Sequence, residues 1–157
     1  MAQTLETHLK SRLKNAKKVV VLGVGSDLRA DDAAGMLVAE LLKPHVKVVF
    51  GATASENLTG EVRRLKPTHL IIIDAAQMGK KPGAIEIIEP GRIEGITFTT
   101  HQLPMSIIAR YLNQEIGCEI ILIGIQPKTL KFGDKVSPQV KASVAQLARL
   151  IKKILAG

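Results

Sequence analysis

Hydrophobic residues follow two different spacings along this chain. In some stretches they form short unbroken runs, which are typical of buried strands, and in others they recur three or four positions apart, as on one face of a helix. The runs predict strands at residues 19–22, 46–50, 70–73, 84–88 and 120–124. The helical spacing predicts a short helix through Leu5, Leu9 and Leu13 and further helices at residues 31–43, 56–65, 103–112 and 140–155.

The order of these elements predicts an α/β fold. Strand and helix alternate from residue 19 to residue 73, as in the right-handed crossovers that build one parallel sheet covered by helices. The strand at residues 84–88 follows without an intervening helix, so we expect it to be antiparallel at an edge. The prediction is a single three-layer αβα domain over residues 1–157, with a mostly parallel sheet of about five strands and one antiparallel edge strand.

The composition fits such a sheet and narrows the function. Hydrophobic residues make up 46% of the 157 positions but aromatic residues only 3%, so aliphatic side chains must fill the core and few rings are available to stack on bases. The formal charge is +8. The basic residues are spread over predicted helix surfaces, which favours a solvated basic surface over nucleic-acid binding.

Cysteine content and hydropathy indicate the compartment. Cys118 is the only cysteine, so no internal disulfide can form. No apolar stretch has the length of a membrane span or the charge layout of a signal peptide. We therefore expect a cytoplasmic protein without a membrane partner, acting as a monomer or weak oligomer.

The predicted sheet indicates where a site would lie. Ligands of open parallel sheets bind outside the carboxyl ends of the strands. This rule selects one rim, to which the segment around His101 belongs because it precedes a predicted helix. The other parts of the rim are residues 23–32, 51–56, 74–81 and 126–138.

The turn Gly23-Val24-Gly25 is a weak functional signal. A dinucleotide-binding turn would need a third glycine where Leu28 stands, and a Walker A loop would need a Gly-Lys-Ser/Thr sequence, which does not follow. The turn either lets the backbone approach a substrate or is a tight exit from the strand.

Asp31 and Asp32 are adjacent acids at the predicted start of a helix. One aspartate is expected there for structural reasons, because its carboxylate caps backbone N–H groups or complements the helix dipole. The second is in surplus. Since adjacent carboxylates repel each other, a bound cation would relieve the repulsion, so the pair fits a structural or a functional role.

Asp74 and His101 complete a candidate metal site. Asp74 ends the most apolar run of the chain, where a carboxylate is costly unless it is paired, capped or liganded. His101 by itself would be an ordinary residue of a loop or of a helix N-terminus. Together with Asp32, they offer two carboxylates and one imidazole, which suit a borderline divalent ion such as zinc or nickel and leave a position open for water or substrate. The histidines that do not fall on the predicted rim are His8, His45 and His69.

Nucleophilic catalysis by a side chain is disfavoured. None of the serines lies in a Gly-x-Ser-x-Gly elbow. Cys118 opens a predicted buried strand away from the rim, where an inert core thiol is expected.

Five blocks of the sequence resemble the nickel-iron hydrogenase maturation endopeptidases, most closely those of the hydrogenase-3 type. The resemblance runs in order from about Val19 to the closing helix, and several ordered blocks are more specific than any one of them. The blocks are GVGSDLRADDAAG (residues 23–35), LKPT (65–68), IDAAQMG (73–79), TTHQLP (99–104) and IGIQP (123–127).

The resemblance implies an enzyme that removes a C-terminal extension from the precursor of the hydrogenase large subunit after nickel insertion. It also implies that Asp32, Asp74 and His101 engage nickel that the substrate carries, so the free protein need not hold a metal tightly. Two positions depart from the family pattern: Ser26 stands where asparagine is usual, and Ala33 where glycine is common. Both replacements are small, so we expect the turn to survive.

The mechanism expected from these residues is attack of a metal-bound water on the scissile carbonyl, with a carboxylate as base. In a variant, nickel serves only for recognition and the water is activated otherwise. A different class of function also fits the rim: a non-enzymatic, chaperone-like binder of the metallated precursor or of a nucleotide. Nucleic-acid binding through the basic surface would instead predict salt-sensitive affinity.

Overall fold

The computed structural model describes residues 4–51, 56–89, 92, 96–98 and 105–157. The helices are α1 (Leu5–Arg12), α2 (Ala34–Leu42), α3 (Glu56–Leu65), α4 (Met105–Ile116) and α5 (Pro138–Ala156), and a 3-10 helix at Ala30–Ala33 precedes α2. The strands are β1 (Val19–Val24), β2 (Lys47–Gly51), β3 (His69–Gln77), β4 (Ile85–Ile87), β5 (Thr97–Phe98) and β6 (Glu119–Ile125).

One sheet joins these strands in the order β2-β1-β3-β6-β4. The pairs β1–β2, β1–β3 and β3–β6 are parallel, and β4 lies antiparallel to β6 at the edge. The prediction of a mostly parallel sheet with an antiparallel edge strand is therefore confirmed. The sequence pattern did not predict β5, which pairs antiparallel with the end of β3.

The sheet divides the apolar residues into two cores. Successive side chains of a strand point to opposite faces, so Ile71 and Ile73 pack with α1, α2 and α5 while Leu70 and Ile72 pack with α3 and α4. This arrangement is the predicted three-layer αβα architecture. It also explains why β3 is an almost unbroken apolar run, because a central parallel strand is buried on both faces.

The helix predicted at residues 31–43 begins later than expected. Residues 30–33 form the 3-10 helix, and the α-helix starts only at Ala34. Neither helix has a side-chain cap at its N-terminus. The acid pair therefore lies in a tight turn ahead of α2 and does not cap that helix, which corrects the expected capping role.

A glycine places the start of α2 directly on the sheet. A Cβ at Gly35 would overlap the carbonyl oxygen of Ile73 and come within 2.5 Å of that of Val24. No larger residue fits at position 35 without moving backbone. The close approach brings the turn before α2 against the upper ends of β1 and β3, where the predicted rim lies.

The helix predicted at residues 103–112 is α4. Its first two predicted residues lie outside the described residues, and it continues beyond the predicted end to Ile116. Gly117 follows with a φ of 73°, the left-handed conformation in which many helices terminate.

Within the described residues, no helix combines the length and apolar character needed to cross a membrane.

Candidate active site at the carboxyl ends of the strands

Backbone hydrogen bonds join the loops at the carboxyl ends of β1, β2 and β6. Gly25 N–H donates to the carbonyl of Gly51 at 3.0 Å, which connects the first two loops. Asp31 N–H donates to the carbonyl of Thr129 at 3.1 Å, which connects the first loop to the last. The rim predicted from topology is therefore one continuous surface in these segments.

Asp31 is a structural residue that fixes the loop after β6. Its Oδ2 accepts hydrogen bonds from Lys128 N–H (2.8 Å), Thr129 N–H (3.1 Å) and the Ser137 hydroxyl (2.9 Å), and its Oδ1 accepts one from Ser137 N–H (2.7 Å). The residue is fully buried. One member of the acid pair thus has a structural role, as expected, but its partners lie about a hundred positions away instead of in the adjacent helix.

Asp32 is the carboxylate without such partners. It is only 4% exposed, and within the described part of the chain its Oδ1 has no hydrogen-bond partner. Its backbone is well held, because its N–H donates to Arg29 and its carbonyl accepts from Ser26. A buried carboxylate oxygen without a partner is costly unless a cation or proton donor reaches it, so Asp32 is the surplus acid that the sequence indicated.

The turn that carries Asp32 depends on a glycine. Gly25 has a φ of 138°, and a Cβ there would overlap the carbonyl oxygen of Asp32. The turn Gly23-Val24-Gly25 therefore packs closely against the acid pair. Ser26 maintains the turn after it, since its hydroxyl accepts a hydrogen bond from Leu28 N–H at 3.2 Å. The departure from the usual asparagine leaves the turn intact, as expected.

Asp74 lies inside β3 and is fully buried. The sequence placed it at the end of the strand, but β3 continues to Gln77, so the boundary of that prediction was wrong. Pairing with β5 at Ala76 and Gln77 extends the strand beyond the apolar run. By strand alternation, the Asp74 side chain lies on the face of Ile72 and Ala76. Its neighbour on β6 is Gly124.

The two aspartates are brought to the same part of the rim. The 3-10 helix that contains Asp32 contacts β3, and Gly35, three residues later, lies against the peptide that joins Ile73 to Asp74. His101 lies outside the described residues. Among the residues that are described, no group of three or more His, Cys, Asp or Glu side chains forms a metal site. The proposed third ligand, His101, is not one of the described residues.

Gln126 is a rim residue that sequence reasoning did not assign to the site. It is 5% exposed and follows β6 directly. Its Oε1 accepts hydrogen bonds from Met78 N–H (2.7 Å) and Lys80 N–H (3.3 Å), and its Nε2 donates to the Gln77 side chain (2.9 Å). The side chain therefore fixes the loop after β3. A polar residue directly after the apolar run of β6 was the signal that could have identified it.

Replacing Gln126 with leucine is expected to lower the free energy of unfolding by about 2 kcal/mol, because the N–H groups of Met78 and Lys80 lose their acceptor. Urea denaturation measures the change. Gln146→Leu is the matched control, since that glutamine is exposed on α5, and it should change stability by less than about 0.5 kcal/mol. Equal effects of the two substitutions would exclude the proposed role of Gln126.

The remaining candidate residues lie away from the rim. Cys118 is buried just before β6, and desolvation raises the pKa of its thiol, which fits an unreactive core residue. His69 is the first residue of β3, at the end of the strand opposite the rim. His8, on α1, forms a hydrogen bond with Glu89. His45 follows the end of α2 that is remote from the rim. None of these histidines contributes to the rim, as predicted.

Three comparisons agree on what this chain resembles. A family model described as hydrogenase maturation protease matches residues 34–154. The hydrogenase 3 maturation protease of Escherichia coli K12 is 39% identical over 130 residues, which cover 80% of this chain and 83% of that protein.

Solved structures show the same similarity in three dimensions. A crystal structure of the NiFe hydrogenase maturation protease HycI from Thermococcus kodakarensis has a TM-score of 0.85 and 34% identity, covering 96% of this chain and 99% of that one. The solution structure of the endopeptidase HycI from Escherichia coli has a TM-score of 0.75 and 36% identity, covering 84% and 87%.

Proposed function

Since this chain belongs to the hydrogenase maturation protease family, we propose that it is the endopeptidase that removes the C-terminal extension of a nickel-iron hydrogenase large-subunit precursor after nickel insertion. The substrate is a protein that carries nickel, and the product is the shortened large subunit. We place the reaction in the cytoplasm, for which a single buried thiol is suited.

The observation that carries this proposal is the unpartnered Oδ1 of Asp32 beside the buried Asp74. A buried carboxylate oxygen without a partner, as at Asp32, is electrostatically unfavourable, and a divalent cation shared with Asp74 would relieve this. Carboxylate oxygens together with one imidazole suit a borderline ion such as nickel. The ion is the substrate's nickel, so the ligands Asp32, Asp74 and His101 need to be complete only in the complex with the precursor.

The position of β5 supports the inclusion of His101. Phe98 of β5 pairs with Ala76, only two residues along β3 from Asp74, and β5 runs back along β3 towards that aspartate. Position 101 follows Phe98 by three residues, and a peptide chain extends by at most about 3.6 Å per residue. Three residues are long enough for a histidine at position 101 to reach the carboxylates.

The proposed reaction is hydrolysis of one peptide bond without a covalent intermediate. Nickel held by Asp32, Asp74 and His101 would activate a water molecule, Asp32 would take up the proton of that water, and the water oxygen would attack the scissile carbonyl carbon. The carbon–nitrogen bond then breaks, and the proton passes from Asp32 to the leaving amine. The cation stabilises the negative charge on the carbonyl oxygen. By the residues that act, the enzyme would be an aspartic-type endopeptidase.

A cleavage assay with nickel-loaded and nickel-free precursor tests this function. Wild-type protein is expected to shorten only the loaded precursor, as mass spectrometry of the product would record. Asp74→Asn and His101→Ala should each reduce the rate at least about a hundredfold while the protein stays folded. Glu40→Gln is the control, because that carboxylate is exposed on α2 away from the rim, and this variant should cleave the precursor as fast as wild type.

Two results would contradict the proposal. Undiminished cleavage by Asp74→Asn and His101→Ala would remove those residues from the mechanism. Binding of the loaded precursor with no change in its chain length would instead indicate the chaperone-like function.

A further inference from the structure

Two large apolar side chains are exposed on the rim beside the acid pair. Leu28, in the loop after β1, is 58% exposed, and Phe132, in the loop after β6, is 73% exposed. The two loops are in contact at this point, since Gly133 N–H donates to the carbonyl of Leu28 at 3.0 Å. We call the surface formed by Leu28 and Phe132 the apolar rim surface.

Both loops are held in this arrangement by specific hydrogen bonds. Asp31 binds the N–H groups of Lys128 and Thr129, and Arg29 Nε donates to the carbonyl of Leu130 at 3.4 Å. Within the second loop, Asp134 N–H donates to the carbonyl of Lys131 at 3.1 Å. The loops therefore hold these apolar side chains exposed to solvent. Their contact with water is unfavourable, and an apolar surface of a partner would remove it.

Three basic residues share the loop of Phe132. Lys128, Lys131 and Lys135 are all exposed on the loop that carries Phe132, and among the acidic residues of the two loops only Asp27 and Asp134 are exposed in the described structure. On the loop that carries Phe132, three exposed lysines against one exposed aspartate leave a positive charge, which favours a partner with acidic residues next to the apolar segment that meets this loop.

We propose that the apolar rim surface is the docking site for an apolar, acid-flanked segment of the large-subunit precursor; this inference rests on the proposed function. Leu28 is four positions from Asp32, and the Phe132 loop is bonded to Asp31. A protein segment that covers Leu28 and Phe132 is therefore held beside the carboxylates that act on the scissile bond.

Steady-state cleavage kinetics of polar replacements test the docking site. Phe132→Ser and Leu28→Ser are each expected to raise KM at least tenfold and leave kcat within twofold, because both side chains lie outside the reacting groups. Leu41→Ser is the matched control, because Leu41 is 51% exposed near the end of α2 that is remote from the rim. This replacement should leave KM within twofold. An unchanged KM in Phe132→Ser and Leu28→Ser would overturn the proposal.

A charge reversal tests the acidic character of the partner. Lys131→Glu is expected to raise KM several-fold at low salt and less at high salt, because salt screens the attraction between exposed charges. Lys152→Glu, an exposed lysine on α5, makes the same change in net charge and should have no such effect. Equal effects of the two reversals would show that net charge alone is responsible, which overturns an acid-flanked partner at this surface.

Two further outcomes separate this inference from the proposed function. If wild-type protein does not cleave nickel-loaded precursor but binds it, and Phe132→Ser weakens that binding tenfold, the function fails and the docking site stands. If wild-type protein sediments as a dimer, Phe132→Ser as a monomer, and KM is unchanged, the surface binds a second copy of the chain and the docking site is overturned.

Discussion

Replacement of Asp32 by asparagine is expected to lower kcat/KM for precursor cleavage at least about a hundredfold while leaving the fold intact. Asparagine has nearly the same size, so packing is preserved, but it binds cations weakly and cannot accept a proton from water. Because Asp32 Oδ1 is buried without a hydrogen-bond partner among the described residues, removing its charge also relieves an unfavourable burial. The free energy of unfolding should stay the same or rise by about 1 kcal/mol.

Parallel measurement of cleavage and of urea unfolding checks both parts of this expectation. Loss of activity without loss of stability is the pattern of a functional residue whose local environment is unfavourable. If the Asp32→Asn variant cleaves the precursor at the normal rate, the Asp32 carboxylate neither binds the nickel nor activates water. A loss of stability greater than about 2 kcal/mol would show that Asp32 has structural partners after all.

Replacement of its neighbour, Asp31, is expected to have the opposite effect. Asp31→Asn should lower the free energy of unfolding by about 3 kcal/mol, because four donors converge on the two carboxylate oxygens and an amide nitrogen cannot accept from them. Urea denaturation with a fixed m-value measures this loss. Residual activity should survive under conditions where the protein remains folded, because Asp31 is already saturated with structural bonds.

Ser137→Ala is the graded control for that experiment. It removes the hydroxyl donor to Asp31 and the N-cap of α5, where the same hydroxyl accepts a hydrogen bond from Val140 N–H, but it keeps the backbone N–H donor. It should therefore cost about 2 kcal/mol. If Asp31→Asn proved no more destabilising than Ser137→Ala, the carboxylate would not be the residue that fixes the loop after β6. The roles assigned to the two adjacent acids would then have to be revised.

The sequence predicted the fold well because its elements are specified locally. The run at residues 70–73 has the length and the β-branched residues of a buried strand, and the spacing from Val140 onwards is that of a long amphipathic helix, which the structure places at Pro138–Ala156. The elements missed or misplaced depend on distant partners. β5 has two residues and exists through its pairing with β3, which also extends β3 beyond Asp74.

The same distinction explains what could be predicted about the site. Adjacency alone identified one of the two aspartates as surplus, and Asp32 is that residue. Its neighbour's partners lie in residues 128–137, which no local pattern connects to position 31. Gln126 was visible only as a polar residue after an apolar run, and its function in fixing residues 78–80 requires the tertiary structure.

Asp32, Asp74 and His101 are proposed to share one cation, and anomalous diffraction at the nickel edge tests this sharing most directly. Crystals of the complex with nickel-loaded precursor should show the anomalous peak of the nickel at roughly 2.0–2.2 Å from a carboxylate oxygen of each aspartate and from a nitrogen of His101, the usual range for borderline divalent ions. A peak bound elsewhere, or a refined His101 side chain directed away from the two carboxylates, would contradict the account.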